Sequence, residues 1–456
     1  MKNSRILRIA AVTGAFGLVL AGTTACSSDP GTGETSDAQV TLSVANLPPV
    51  DQAEQRAAFL VRVDEFVAQN PDIKVEPMEW EYDGQAFQTQ LAGGTLPIVF
   101  SAPLTEPPAL IANQQVADIT DAATSLGLLD ELNPELVDLV TSDGRVYGVP
   151  TWAYALGVAY NRELFEQAGL DPDHGPANWK EVREFAKVIK DETGQAGYAQ
   201  LASNSCGGWL LTAMTYSFGG RIVDDANTTA VFADEPEMRE ALELISDMKW
   251  NDGTLPDQNL YDCDNIQSDF AAGKIGMTLK ADFIPATQQY GMSADAFGYA
   301  GMPAADDGSR STLSGGGVAL ISPKATEEEK EAGLKYIKFM NLNKYFDEEL
   351  AVSQAEAAQA DGAVYEQPGL APVGAEQYDT FLGWIEPYAI IPFDIWQAYR
   401  DSLPDTTLVP EPKYQGQAIY AELDNVLQAV LTGQNADIEQ LLKDAQDRAN
   451  VLLASS

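Results

Sequence analysis

The sequence predicts an α/β protein of two lobes, each a mostly parallel sheet flanked by helices, joined by several chain crossings. Three observations predict it. Runs of β-branched and aromatic residues alternate with segments of helical periodicity from Val40 onward, the pattern of a parallel sheet covered on both faces. No tandem repeat is visible, so interleaving rather than duplication has to build the molecule. A chain of 456 residues with 45% hydrophobic content carries enough apolar material for one large two-lobed domain or two to three small ones.

The N-terminus reads as a targeting segment over residues 1–25. Lys2, Arg5 and Arg8 are a basic start, and residues 9–21 are apolar but short for a membrane span. Small residues then precede Cys26 in Thr23-Thr24-Ala25-Cys26, which resembles a lipoprotein cleavage site. Lipoprotein sites prefer Leu where Thr23 stands, and an ordinary secretory cleavage is the alternative. Residues 26–37, with Pro30, Gly31 and Gly33, read as a flexible tether.

The body opens as a βαβ unit. Residues 40–44 alternate as a strand. Residues 51–69 form a helix with Phe59, Val63, Phe66 and Val67 on one face. Asn70-Pro71-Asp72 breaks it and a second strand starts at Ile73. A short helix over 87–92 stops at Gly93-Gly94. A third strand follows over 96–100 and a helical piece over 111–116. Extended segments around Val149 and over 158–160 flank Trp152-Ala153-Tyr154. A short helix with Leu164, Phe165 and Ala168 inward ends at Gly169. Asn178 caps the next helix, with Glu181 placed to reach back. Later strands read over 277–279 and 318–321. Thr326 and Glu329 form a capping box before Leu334, Ile337 and Met340. The last quarter is helical, with Leu423, Val426, Leu427 and Val430 on one face.

Charge and chemistry exclude several functions. The net charge is −41, from 68 acidic against 27 basic residues. Phosphate repulsion and the lack of a basic stripe argue against nucleic acid. The one histidine, His174, lies in a polar loop, so a histidine-dependent nucleophile or a zinc site has little to work with. No phosphate-binding loop is present. No metal or cofactor is expected. An exported chain meets oxidising conditions, so Cys206 and Cys263 are expected to pair, at about 4 kcal/mol for a loop of that size. Two buried thiols are the alternative.

Four blocks, in order, carry a resemblance. They are residues 148–172, the stretch Phe270-Ala271-Ala272-Gly273-Lys274-Ile275-Gly276-Met277-Thr278, the run Ser314-Gly315-Gly316-Gly317 leading to Ser322-Pro323, and Leu370-Ala371-Pro372 with the final Leu442-Lys443-Asp444-Ala445-Gln446. Together they resemble the bacterial extracellular solute-binding proteins of the carbohydrate type, the maltose-binding group that serves ABC importers. The resemblance implies a periplasmic-binding-protein-like fold with a ligand cleft between the lobes. It implies lobes of 38–153 with about 314–353, and 154–313 with about 370–456. Crossings then fall near 153–158, near 311–317 and within 354–369. Gly315-Gly316-Gly317 reads either as a hinge or as close backbone packing.

Sugars present flat C–H faces rimmed by hydroxyls, which aromatic rings and polar side chains match. Motif position and that chemistry select Trp80, Tyr82, Glu106 (with Thr105 as its neighbour), Trp152, Tyr154, Asn204, Trp209, Asp282, Phe283 and Tyr420 as ligand-binding candidates. Trp209 stands out because Gly207-Gly208 would leave space above its ring. Trp179, Trp250 and Trp396 lie in helical patterns and read as core. Where relatives carry an acid before the third strand, this chain has Ile98, and Ser101 replaces an aromatic.

The expected function is therefore a non-catalytic, lipid-anchored monomer on the outer face of the cytoplasmic membrane. It captures a carbohydrate, an oligosaccharide by preference, for ABC importer permease subunits. The membrane is touched only through Cys26. The alternatives are a binder of another polar solute (a polyol or glycerol phosphodiester) or an extracellular carbohydrate-active enzyme. The last needs only two carboxylates, though the resemblance argues against it.

Overall fold

The computed structural model describes residues 39–258, 260–280 and 284–454. Cys26, Asp282 and Phe283 lie outside them. Twelve strands are assigned among these residues: β1 Val40–Val44, β2 Ile73–Pro77, β3 Val99–Pro103, β4 Thr141–Ser142, β5 Arg145–Val146, β6 Gly148–Ala155, β7 Gly157–Asn161, β8 Ala196–Ala199, β9 Ile275–Lys280, β10 Phe297–Gly301, β11 Ser311–Ile321 and β12 Thr407–Pro410. No helix of the described residues lies between β4 and β7 or between β10 and β11, and helices fill the other intervals. Several are set by short-range caps that the sequence shows directly. Asn161 and Asn178 accept the amides of Leu164 and Glu181, and Thr326 with Glu329 closes a capping box. Glu181 also reaches back to the Ala177 amide at 2.8 Å.

Two sheets and two apolar cores make the lobes. The first sheet runs β12-β11-β3-β1-β2, with β6 also on β11. Its core joins residues of the first 150 positions, such as Leu42, Phe66, Phe87 and Phe100, to Leu320, Leu334 and Phe381. The second sheet runs β10-β7-β9-β8, over a core that includes Val158, Tyr198, Met277, Trp396 and Leu427. Trp179 and Trp396 are buried, and the Trp250 indole donates to the Val430 carbonyl at 2.9 Å.

The α/β class stands, but the strand directions are mixed. In the first sheet β1, β2 and β3 are parallel and β11 runs against β3 and β6. In the second, β7 is antiparallel to both β9 and β10, and only β8 and β9 run parallel. The reason is the crossing itself. β7 starts at the crossing, where β9 ends, and β11 comes from the second lobe into the first sheet at the end where β3 finishes, so each runs against its neighbour.

Two boundaries move. The third strand begins at Val99 and the next helix at Pro107, because Pro107 fits the first helical turn and not its interior. Ala371, Val373, Tyr378, Phe381, Leu382 and Ile385 pack in the first core, where the sequence reading had put them in the second lobe. Val364 and Leu370 already touch the second core, and fully buried residues of that core resume at Ile391. The helix Ala375–Ile385 keeps the chain in the first lobe by seating Phe381 against Tyr345, ring centroids 4.8 Å apart.

Candidate interlobe site

The carboxyl ends of β1, β2 and β3 share one edge of the first sheet, since the three run parallel. Trp152 reaches that edge too, because it pairs with Gly317, which pairs with Pro103. In the second sheet the carboxyl ends of the parallel pair β8 and β9 lie beside Gly157, just after the crossing strand β6. The loops that follow parallel strands in the two lobes therefore flank the crossing. That is where open α/β sheets place ligands.

The residues singled out from the sequence form two groups. On the first lobe, the Tyr82 hydroxyl donates to Glu106 at 2.8 Å, and burial with that carboxylate pushes the tyrosine well above its usual range. Tyr82 also packs on Phe87, and Trp80 meets Phe100 edge-on at 6.0 Å. The Trp80 indole nitrogen is buried and lacks a partner. Thr105, beside Glu106, lines a cavity between the lobes.

The second group lies on the crossing. Trp152 is 55% exposed. Its ring stacks on Tyr154 at 6.2 Å and 28°, and Tyr154 meets Trp209 edge-on at 6.1 Å. These rings explain the glycine run. A side chain at Gly315 would strike the Tyr154 hydroxyl at 2.5 Å, and one at Gly317 would strike the Trp152 indole at 2.3 Å. At Gly316 it would meet the Trp152 carbonyl at 2.2 Å. Close packing accounts for all three glycines.

Trp209 belongs to the helix Cys206–Ser217, whose start is tied to Cys263 by a disulfide across 57 residues. The neighbouring glycines do not open space above its ring. A Cβ on Gly208 would meet the Tyr420 carbonyl oxygen at 2.0 Å, and one on Gly207 the Ala202 Cα at 2.5 Å. They let the helix Gly416–Thr432 lie against this one. Asn204 is exposed and donates to Asp262 at 2.6 Å. Tyr420 is a correction. It is fully buried, so its ring offers no face for stacking. The packing of the two helices covers it, and only its hydroxyl reaches outward, to Glu411 at 3.3 Å.

Glu411 itself was missed from the sequence. It follows β12 in Pro410-Glu411-Pro412 and accepts the Tyr154 hydroxyl at 2.6 Å. Burial first, and then the Glu411 charge, push the Tyr154 hydroxyl far up its range; the Trp209 side chain acts the other way. Glu411 also lines the interlobe cavity, about 470 Å³, together with Leu104 and Thr105 on one side and Tyr216, Arg221 and Asp224 on the other. The cavity wall thus carries hydroxyls and charges of both signs, and Tyr154, bonded to Glu411, connects it to the exposed Trp152 ring. Among the described residues no group of three or more His, Cys, Asp or Glu is placed to hold a metal. His174 is exposed on its loop. No helix of the described residues is long and apolar enough to cross a membrane.

The comparisons agree with this fold. A binding protein of Brucella abortus (strain 2308) is 25% identical over 399 residues, which is 85% of this chain and 88% of that one. The sugar-binding protein MalE of Xanthomonas citri superposes with a TM-score of 0.67 at 18% identity, over 91% of this chain and 98% of that one. The cyclic α-maltosyl-1,6-maltose binding protein of Arthrobacter globiformis gives a TM-score of 0.63 at 22% identity, over 91% and 100%. Both structures share the two-lobed fold. The family model described as bacterial extracellular solute-binding protein matches residues 62–355, well over half of the chain, and the chain belongs to that family.

Proposed function

We propose that this protein captures a carbohydrate, an oligosaccharide by preference, between its lobes and presents it to an ABC importer, without catalysis. The observation that carries the reading is the exposed face of Trp152, stacked on Tyr154, whose hydroxyl donates to Glu411 on the wall of the interlobe cavity. A pyranose offers apolar C–H faces to such a ring, and its hydroxyls suit the carboxylate, threonine and guanidinium groups around the cavity. The solved relatives named above bind sugars, which supports the same class of ligand here.

Trp152, Tyr154 and Trp209 are the proposed sugar platform. Trp80, Tyr82, Glu106 and Asn204 are proposed to complete the rims, with Asp282 and Phe283 after β9. Tyr420 acts only through Glu411. Cys26 is proposed to carry a lipid that anchors a monomer outside the cytoplasmic membrane, with the permease subunits as its partners.

A thermal-shift screen over mono- and oligosaccharides, followed by calorimetric titration, tests the reading. Oligosaccharides should raise the melting temperature by mass action, with no product formed. Stabilisation by a polyol or glycerol phosphodiester but by no sugar would reassign the ligand. Turnover of a bound glycoside would move the protein to the enzymes.

A further inference from the structure

We infer that Glu411 is a positioning residue that braces the crossing strands and so sets how the lobes stand when no ligand is bound. The argument comes from strand register. Residues 317–320 of β11 pair with both β3 and β6, so those two strands lie on opposite edges of β11. Ser314 pairs with both Ala155 of β6 and Pro410 of β12, so β12 lies opposite β6 as well. Tyr154 therefore starts on one edge of β11, and Glu411 leaves β12 on the other. Their 2.6 Å hydrogen bond passes over β11 at Gly315, where any side chain would collide with the phenol.

Three features make this a brace. Both β6 and β11 are strands on which the chain passes between the lobes, with Val149 and Val318 in the first core and Ala155 and Leu313 in the second. Glu411 is fixed from the second lobe by the Tyr420 hydroxyl, on a helix buried in that lobe. It also stands between two prolines, Pro410 and Pro412, which limit its backbone. A rotation of the lobes that twists β6 against β11 has to move the phenol off Gly315 or break its bond to Glu411.

The structure of the unliganded protein is the readout, so the test needs no ligand. Spin labels are attached to cysteines placed at exposed Lys74 in the first lobe and exposed Lys180 in the second. Inter-lobe distances are then measured by electron-electron resonance in the full disulfide-bonded chain. Tyr154→Phe removes one oxygen and should broaden or shift the distribution. Glu411→Ala, which also loses the Tyr420 bond, should do at least as much, and the double variant should go no further than Glu411→Ala, since the Tyr154–Glu411 bond is already gone in it. Glu411→Gln keeps an oxygen acceptor for the phenol and should restore the distribution of the unaltered chain. Should Glu411→Ala fail to fold, Tyr154→Phe with Glu411→Gln still decides. An unchanged distribution in Tyr154→Phe, or a double variant that sums two independent changes, overturns the inference. The sugar-binding reading is judged separately, by titration, and survives that result.

Discussion

Asp424 accepts the backbone amide of Gly208 at 2.7 Å, so a helix near the end of the chain caps the helix that carries Trp209. The same carboxylate takes the Ser205 amide, also at 2.7 Å. Ser205 is in a left-handed conformation and its side chain makes no cap. Asp424 supplies the missing acceptor from another helix, and its charge suits the positive end of the helix dipole.

Removing that carboxylate should be costly. Asp424→Ala leaves the buried Gly208 amide and the part-buried Ser205 amide without this acceptor and should lower stability by about 1–3 kcal/mol in urea unfolding. The pH dependence has a definite sign. Burial raises the folded-state pKa of Asp424 above its ordinary value, despite the amide bonds that pull it down. The folded state then holds the proton to higher pH than the unfolded one. The stability linked to this group is full below about pH 4 and falls as pH rises through the raised pKa. Asp424→Asn should lack that decline. Parallel stability–pH curves for the two proteins would refute the assignment.

Two glycines should respond oppositely to alanine. Gly208 faces the Tyr420 backbone at 2.0 Å, with nothing soft to yield. Gly208→Ala should cost about 3 kcal/mol or more, or prevent folding, by forcing two packed helices apart. Gly383 is exposed within the helix Ala375–Ile385 and a Cβ there meets nothing within 4 Å. Gly383→Ala should gain about 0.5–1 kcal/mol. Melting curves of the pair, read side by side, check whether contact or propensity governs each site.

These helices show what a sequence can and cannot reveal. Asn178 and Thr326 were legible as caps because donor and acceptor lie within three residues; Asn161 caps its helix by the same short-range bond and was passed over. The alternation of strands and helices likewise gave the fold class. Asp424 was invisible as a cap, since it acts on a helix over 200 positions earlier. Glu411 was invisible for the same reason, being 257 positions from Tyr154. Tyr420 was misread because motif position says which face of a helix a ring occupies in relatives, not what packs over it here. The glycines beside Trp209 were read as space when they are contact.

The disulfide should carry measurable stability. Cys206 and Cys263 close 57 residues, and the loop-entropy estimate is about 4 kcal/mol as an upper figure. The bond joins the start of the Trp209 helix to a loop that Asn204 also grips through Asp262. Mass spectrometry of non-reduced peptides should show the pair linked. Unfolding with and without reductant should then differ by up to that amount. Free thiols in exported protein, or no difference on reduction, would defeat the expectation.

The sharpest test of the site compares two tryptophans. Trp152 is 55% exposed, so Trp152→Ala should cost less than about 1 kcal/mol of folding stability. Losing its stacking face should weaken sugar binding roughly tenfold or more, since about 1.4 kcal/mol is a factor of ten. Trp209 is half-buried against Tyr154, and its removal should affect both quantities. Its folding loss should exceed that of Trp152→Ala, because the edge contact to Tyr154 and the packing against the second core go with it. Calorimetric titration and ligand-free melting curves, run on both variants, separate the roles. If Trp152→Ala binds as well as the unaltered chain, the exposed ring is not the sugar platform, and the ligand must sit elsewhere between the lobes.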